Sequence, residues 1–183
     1  MKAMTQQNLI NAFGGESQAH MRYMHFSNTA VKEGYTNVAR LFTAIAFAEY
    51  IHAGDHYACL KHMNGDAVAD AGATFGPGDT LKNLGLALMG ERFEVAEMYP
   101  VYLEVAKFQG ERKAAQSFGW AYEVEQQHVK LYERAERAVK KGKDMRLRDV
   151  HVCEVCGCTI EGEAPDRCPV CNARSKAFMA FVD

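Results

Sequence analysis

The sequence predicts an all-α four-helix bundle followed by a small cysteine-rich module, and three observations predict it. Apolar residues recur at threes and fours through most of the chain. One half of that pattern repeats in the other. Two C-x-x-C pairs lie near the end. With 183 residues, 48% hydrophobic and 24% charged, the chain suits one medium domain plus a small one and shows no composition of disorder. A net charge of -2 argues against nucleic acid as a partner. The cluster Lys140, Lys141, Lys143, Arg146 and Arg148 reads as a solvated linker. No run approaches the roughly 20 apolar residues of a membrane span, so no membrane is expected as a partner. No secretion signal is seen. The expected location is the cytoplasm, with the paired cysteines as metal ligands.

Residues 1–141 are expected to form the bundle, 142–150 a linker and 151–183 the module. The first helix carries Leu9, Ala12 and Phe13 on one face, the second Val38, Leu41, Phe42 and Ile45. The third carries Leu84, Ala87, Leu88 and Val95, the fourth Ala114, Phe118, Ala121 and Tyr122. Gly34 and Gly110 mark tight turns, Asp79 suits the cap of the third helix, and Pro100 should bend or break it. The long stretch from Asn64 to Asp79 joins helices two and three. One such crossover is the ferritin-like arrangement.

The two hairpins are related by repetition. One constant spacing pairs Tyr23 with Tyr99, Gly34 with Gly110, Glu49 with Glu125 and His52 with His128. A spacing one residue shorter pairs Asn8 with Asn83, Gly15 with Gly90 and Glu16 with Glu91, so one residue has slipped in helix three. Such a repeat predicts a site near the pseudo-twofold axis.

The apolar stripes run directly into charge. Glu49, His52 and His56 continue the stripe of helix two, and Glu125 and His128 that of helix four. Glu16 follows the stripe of helix one, and Glu91 and Glu94 that of helix three. Five inward carboxylates without a partner would each cost several kcal/mol. No Lys or Arg lies on these stripes, so two metal cations are the expected counter-charge. A Glu from each of two helices with Glu-x-x-His from the other two is the ligand pattern of ferritin-like di-iron bundles. Here Glu16, Glu91, Glu49 with His52, and Glu125 with His128 fill it. Oxygen and nitrogen donors suit iron or manganese. Glu94 has Ala19 as its counterpart, so the site is asymmetric, with one spare carboxylate.

Cys153, Cys156, Cys168 and Cys171 form two knuckles for one tetrahedral metal. On spacing alone a structural zinc is an alternative to iron. A redox cluster upstream, which needs an electron source, favours iron. A module this short depends on its metal for stability.

Gly-Glu-Ser-Gln-Ala around Glu16, Ala-Glu-Tyr-Ile-His through His52, Gly-Glu-Arg-Phe-Glu through Glu94 with Glu-Met-Tyr-Pro following, and the four-cysteine tail together resemble the rubrerythrin family, nigerythrin included, over nearly the whole chain. The resemblance implies a non-haem di-iron peroxidase that protects against oxidative stress by reducing hydrogen peroxide to water. Its cofactors would be two irons in the bundle and one iron in a rubredoxin-like four-cysteine site, where zinc can substitute. Electrons would come ultimately from NAD(P)H, through a rubredoxin or flavoprotein reductase, by way of the thiolate-bound iron. The implied di-iron ligands are Glu16, Glu49, His52, Glu91, Glu94, Glu125 and His128, with a redox-linked exchange between His52 and Glu94. Tyr23 and Tyr99 match tyrosines that hydrogen-bond the carboxylates. Cys158 and His151 stand where aromatic residues are common.

About 20 Å of helix separates His128 from Lys141, which places the tail far from its own cluster unless the linker folds back. A head-to-tail homodimer, one chain's tail serving the other's cluster, is the simplest expectation, and the resemblance implies the same. Iron storage leaves the tail without a purpose. A plain electron carrier would react slowly with peroxide.

Overall fold

The computed structural model describes residues 1–182. Its helices are α1 (Ala3–Lys32), α2 (Thr36–Cys59), α3 (Thr80–Phe93), α4 (Tyr99–Phe108) and α5 (Arg112–Val139). The strands β1 (Val150–Cys153), β2 (Thr159–Glu161) and β3 (Phe178–Phe181) follow. Gly34 and Gly110 turn the chain at φ of 82° and 74°, values that L side chains rarely adopt. Asp79 caps α3, its Oδ1 accepting from Lys82 N at 2.8 Å.

The third bundle helix is broken, as Pro100 demanded, but the break is a widened turn. Residues Glu94–Met98 form a π-helical stretch, and Pro100 sits in the first turn of α4 beyond it. A proline cannot donate to the carbonyl four residues back and its ring crowds that carbonyl. A π turn takes up one extra residue at that point. That residue accounts for the slip between the repeats, since Glu91 of the Glu16–Glu91 pair precedes the stretch and Tyr99 of the Tyr23–Tyr99 pair follows it. Glu94, the carboxylate without a counterpart, lies inside the insertion.

Leu9, Leu41, Phe42, Ile45, Leu84 and Phe118 are fully buried. They fall in two apolar clusters, one containing Tyr23, Phe42 and Tyr132, the other Leu9, Tyr99 and Phe118. The tail is a three-stranded antiparallel sheet in the order β2-β1-β3, with Val150 opposite Glu161 and Phe181. Its cysteines pack with Val124 and Trp120 of α5, and Phe181 meets Phe47 of α2 at 5.8 Å. The tail therefore completes its core on the bundle. Trp120 belongs to that seam, half-buried, and not to the interior of the bundle.

The linker corrects the distance argument. It folds back along α2, whose own N-terminal residue supplies no side-chain cap. Asp144 supplies one: its carboxylate accepts from Asn37 N at 2.8 Å and Val38 N at 3.2 Å, satisfying donors that a helix start leaves free. Asn37 then donates to Met145 O and Arg40 to Leu147 O, each at 2.9 Å, and Met145 and Leu147 are buried. The basic side chains stay outside, but the segment is not merely solvated. The tail lands on the bundle of its own chain, so the separation that called for a head-to-tail dimer does not exist.

Candidate metal centres

Glu16, Glu49, His52, Glu91, Glu125 and His128 are all buried to within 1% of complete. Two overlapping sets have their donor atoms within 4.8 Å of one another: Glu16, Glu49, His52 and Glu125, and Glu49, Glu91, Glu125 and His128. Glu49 and Glu125 belong to both sets, so each half of the repeat contributes one carboxylate able to bridge two ions. Both imidazoles turn Nδ1 to the carboxylates. His52 Nδ1 lies 2.7 Å from Glu125 Oε1, and His128 Nδ1 lies 2.7 Å from Glu125 Oε2.

The electrostatics are those of a site short of positive charge. Burial pushes Glu16 well above the ordinary carboxyl range, and Glu94, Glu49 and Glu125 push it further. Glu91 and Glu94 rise for the same reasons, burial first and then their neighbours. Burial would raise Glu125 as well, but the two imidazoles hold it well below its ordinary value. Burial would lower His52 and His128, yet Glu125 above all raises both. Even so, Glu16 Oε2 is buried with no hydrogen-bond donor, and Glu49 Oε1, Glu91 Oε2 and Glu125 Oε1 are buried with only an imidazole Nδ1 near them, at 3.3, 3.4 and 2.7 Å. Each such oxygen costs free energy unless paired. Buried carboxylate oxygens gathered within 4.8 Å of one another, with imidazole nitrogens beside them, fit a pair of hard-to-borderline cations.

The outer contacts orient the carboxylates. Tyr23 Oη donates to Glu91 Oε1 at 2.7 Å, and Tyr99 Oη donates to Glu16 Oε1. His56 meets Tyr99 Oη through Nε2 at 2.9 Å and Ser117 Oγ through Nδ1 at 2.7 Å. Burial, with His52 nearby, pulls His56 down to about 3, so it is a neutral support. Glu94 is the one expected ligand outside both sets; it is 8% exposed and lines a surface cavity.

In the tail, Cys153, Cys156, Cys168 and Cys171 bring their four sulfurs within 4.8 Å of one another. The Cys156 hydrogen bond draws the Cys153 thiol down to about 5, while the same contact and burial push Cys156 up. Cys158 is buried beside them, but its sulfur faces Gln127 Oε1 at 3.6 Å and stands outside the group. His151 Nδ1 lies 2.6 Å from Gly162 O.

Several contacts give no signal in the sequence because they cross between domains. His128 Nε2 lies 3.0 Å from Thr159 Oγ1, which donates to Gly157 O at 2.9 Å. That leaves Thr159 Oγ1 to accept the Nε2 proton, fixing the tautomer with Nδ1 free for a metal. Thr159 N donates to Gln127 Oε1 at 3.1 Å. Gly157 packs so closely on His52 that a Cβ there would lie 2.4 Å from His52 Nε2. The first cysteine knuckle thus rests on both histidines of the carboxylate cluster.

The family model for rubrerythrin matches residues 7–136, and that for the rubrerythrin rubredoxin-like domain matches 151–179. The chain is 43% identical to Rubrerythrin-2 of Clostridium acetobutylicum over 179 residues, covering 98% of this chain and 97% of that one. It is 33% identical to nigerythrin of Nitratidesulfovibrio vulgaris, covering 97% of this chain and 86% of that one. The solved structure of fully reduced, all-ferrous nigerythrin superposes with a TM-score of 0.84 over the same shares. Reduced symerythrin from Cyanophora paradoxa, at 20% identity and a TM-score of 0.66, shares the fold over 74% of this chain and 85% of that one. Among the described residues no helix is long and apolar enough to cross a membrane. Paired Glu-x-x-His helices around a di-iron site, a rubredoxin-like four-cysteine site and whole-chain identity converge, and the chain belongs to the rubrerythrin family.

Proposed function

We propose that this protein is a cytoplasmic peroxidase that reduces hydrogen peroxide to water at the carboxylate–histidine centre, with electrons delivered by the four-cysteine centre of the same chain. The reaction consumes two electrons and two protons per peroxide and yields two waters. The bound iron pair supplies the two electrons, one from each ion. Glu16, Glu49, His52 and Glu125 hold one ion, and Glu49, Glu91, Glu125 and His128 the other. Glu94, free of both sets, is the remaining ligand expected to exchange with His52. Tyr23 and Tyr99 keep their protons, because burial and the neighbouring carboxylates raise both well above the usual phenol range. Each therefore donates steadily to the carboxylate it orients. His56 holds Tyr99 in turn, and the dry apolar walls keep the carboxylates close to the metals.

The single observation that carries this reading is the seat of the cysteine knuckle on both histidines, through Thr159 on His128 and Gly157 on His52. A storage protein has no use for that contact, whereas an enzyme that must be re-reduced one electron at a time does. The donor to the four-cysteine centre is a rubredoxin or a flavoprotein reductase fed by NAD(P)H.

The test is stopped-flow oxidation of the fully reduced, iron-loaded protein by peroxide and by oxygen, watching the absorbance of the thiolate-bound iron. Peroxide should react much faster than oxygen, with oxidation of the tail centre following that of the cluster. Equal rates with the two oxidants, or tail oxidation that ignores the cluster, would refute it.

A further inference from the structure

The side of the cluster opposite the cysteine knuckle carries a cavity of about 130 Å³. Glu94 lines it, together with Gly15 and Gly90, the residues immediately before Glu16 and Glu91. With glycine at both positions, neither helix projects a side chain of its own into the cavity there; Ala71 Cβ comes to 3.9 Å of the Cβ position at Gly15, and Arg22 Nη2 to 3.9 Å of that at Gly90. The long crossover roofs the cavity with Asp70, Ala71, Gly72 and Thr74.

One stripe of α1 pins that roof. Gln7 Nε2 donates to Val68 O at 3.1 Å, and Asn11 Oδ1 accepts from Asp70 N at 3.0 Å. Gln18 Nε2 donates to Gly72 O at 3.0 Å. Arg22 ties both sides together: Nη1 donates to Thr74 Oγ1 and Nε to Gln18 Oε1, each at 2.5 Å. Residues four and seven apart share a helix face, so these four act along one line. Arg22 is the one cation among the residues lining the cavity, and Glu94 shares that cavity with it.

We propose that this cavity is the route by which hydrogen peroxide reaches the carboxylate edge of the cluster, with Arg22 as the positioning residue that holds its roof and faces Glu94. The inference rests on the peroxidase reading and adds a substrate limit to it. Hydrogen peroxide needs about the space of two waters, roughly 30 Å³ on the scale of the cavity volume. An alkyl hydroperoxide such as tert-butyl hydroperoxide has six heavy atoms, as many as the benzene that a cavity of about 150 Å³ accepts, and is too large for this one. The route admits the small oxidant and excludes the bulky one.

The experiment uses the full iron-loaded protein and the variants Ala71→Leu, Arg22→Gln and Arg22→Lys. Azide binding to the oxidised protein is read by absorbance titration. Reaction of the reduced protein is timed with hydrogen peroxide and with tert-butyl hydroperoxide, and thermal midpoints and direct oxidation of the four-cysteine centre by ferricyanide serve as controls. The wild-type protein should favour hydrogen peroxide by about a hundredfold or more. Ala71→Leu, which fills the cavity, should weaken azide and slow peroxide by about tenfold while ferricyanide oxidation is unchanged. Arg22→Gln should do the same, and Arg22→Lys should recover part of the loss. Comparable rates with the two hydroperoxides, or an Ala71→Leu protein that binds azide and reacts as the wild type does, would overturn the route. Azide binding that depends on Ala71 in a protein inert to peroxide would keep the route and refute the peroxidase reading. Fast peroxide reduction untouched by any variant would do the reverse.

Discussion

Gly157→Ala is the sharpest single perturbation of the contact between the two centres. Gly157 sits at φ of +75°, and a Cβ on it would lie 2.4 Å from His52 Nε2, 2.8 Å from His52 Cδ2 and 3.2 Å from Ala48 O. The left-handed conformation costs a non-glycine residue about 1–2 kcal/mol. The collision adds about 1–3 kcal/mol, because His52 is packed in place and the Ala48 oxygen is helix backbone that cannot swing away. Gly110→Ala is the matched control: its φ is +74° and nothing lies within 4 Å of its Cβ position, so it pays for conformation alone. The difference between the two variants therefore isolates the contact. Trp120, the only tryptophan, packs against the tail and reports on it by fluorescence. Denaturant unfolding of both metal-loaded variants, with Trp120 emission and the rate of electron transfer from tail to cluster, gives the comparison. Gly157→Ala should lose about 1–3 kcal/mol more than Gly110→Ala, shift the Trp120 emission and slow electron transfer. Equal losses with unchanged emission would show that the knuckle does not bear on His52.

Thr159→Val removes the acceptor for His128 Nε2–H. It should cost about 1–3 kcal/mol and scramble the His128 tautomer, seen in ring nitrogen shifts of the zinc-loaded protein, with Thr159→Ser close to wild type. The metal-stripped protein should lose stability as pH rises. Glu16, Glu91 and Glu94 are raised above their ordinary 4.5, and His52 and His128 above 6.5, so their contribution is complete below those values and disappears as pH climbs through the raised ones. Glu49 and Glu125, lowered, act oppositely and lose their contribution only in acid. Urea midpoints should therefore fall as pH rises above 4.5 without metal and not with it; a flat or rising metal-free profile would contradict the burial of these groups. Mixing Glu125→Ala with Cys168→Ser should restore no peroxidase activity if the tail, which packs on the bundle of its own chain, serves the cluster it packs on; rescue would mean that tails are exchanged between subunits.

The ligand positions were legible because helical periodicity and the internal repeat each bring Glu16, Glu49, His52, Glu91, Glu125 and His128 to one face, and the two signals agree. The π turn was legible only as its trace, the one-residue slip, because a widened turn leaves composition unchanged and alters phase alone. Asp144 was illegible for a different reason. Counting helix length from His128 gives the distance travelled away from the cluster, but the return depends on a carboxylate meeting the free N–H groups of Asn37 and Val38, over a hundred positions away. Thr159 and Gly157 depend in turn on that return. Arg22 gives no signal in the sequence, since its partner Thr74 lies in a segment with no period to place it.

The repeat and its one defect together explain why the site has two unlike sides. Each hairpin contributes one Glu-x-x-His helix and one single-glutamate helix. The two Glu-x-x-His helices, α2 and α5, carry the imidazoles whose Nε2 edges meet the tail. The single-glutamate helices, α1 and α3, meet under the crossover. A perfect repeat would make that second side symmetric, with Ala19 and its counterpart both small. The inserted residue brings Glu94 to one half only, beside Arg22 and the cavity. On the proposed reading, electrons would enter through the imidazoles and the oxidant past Glu94, so the two would approach the metals from opposite directions.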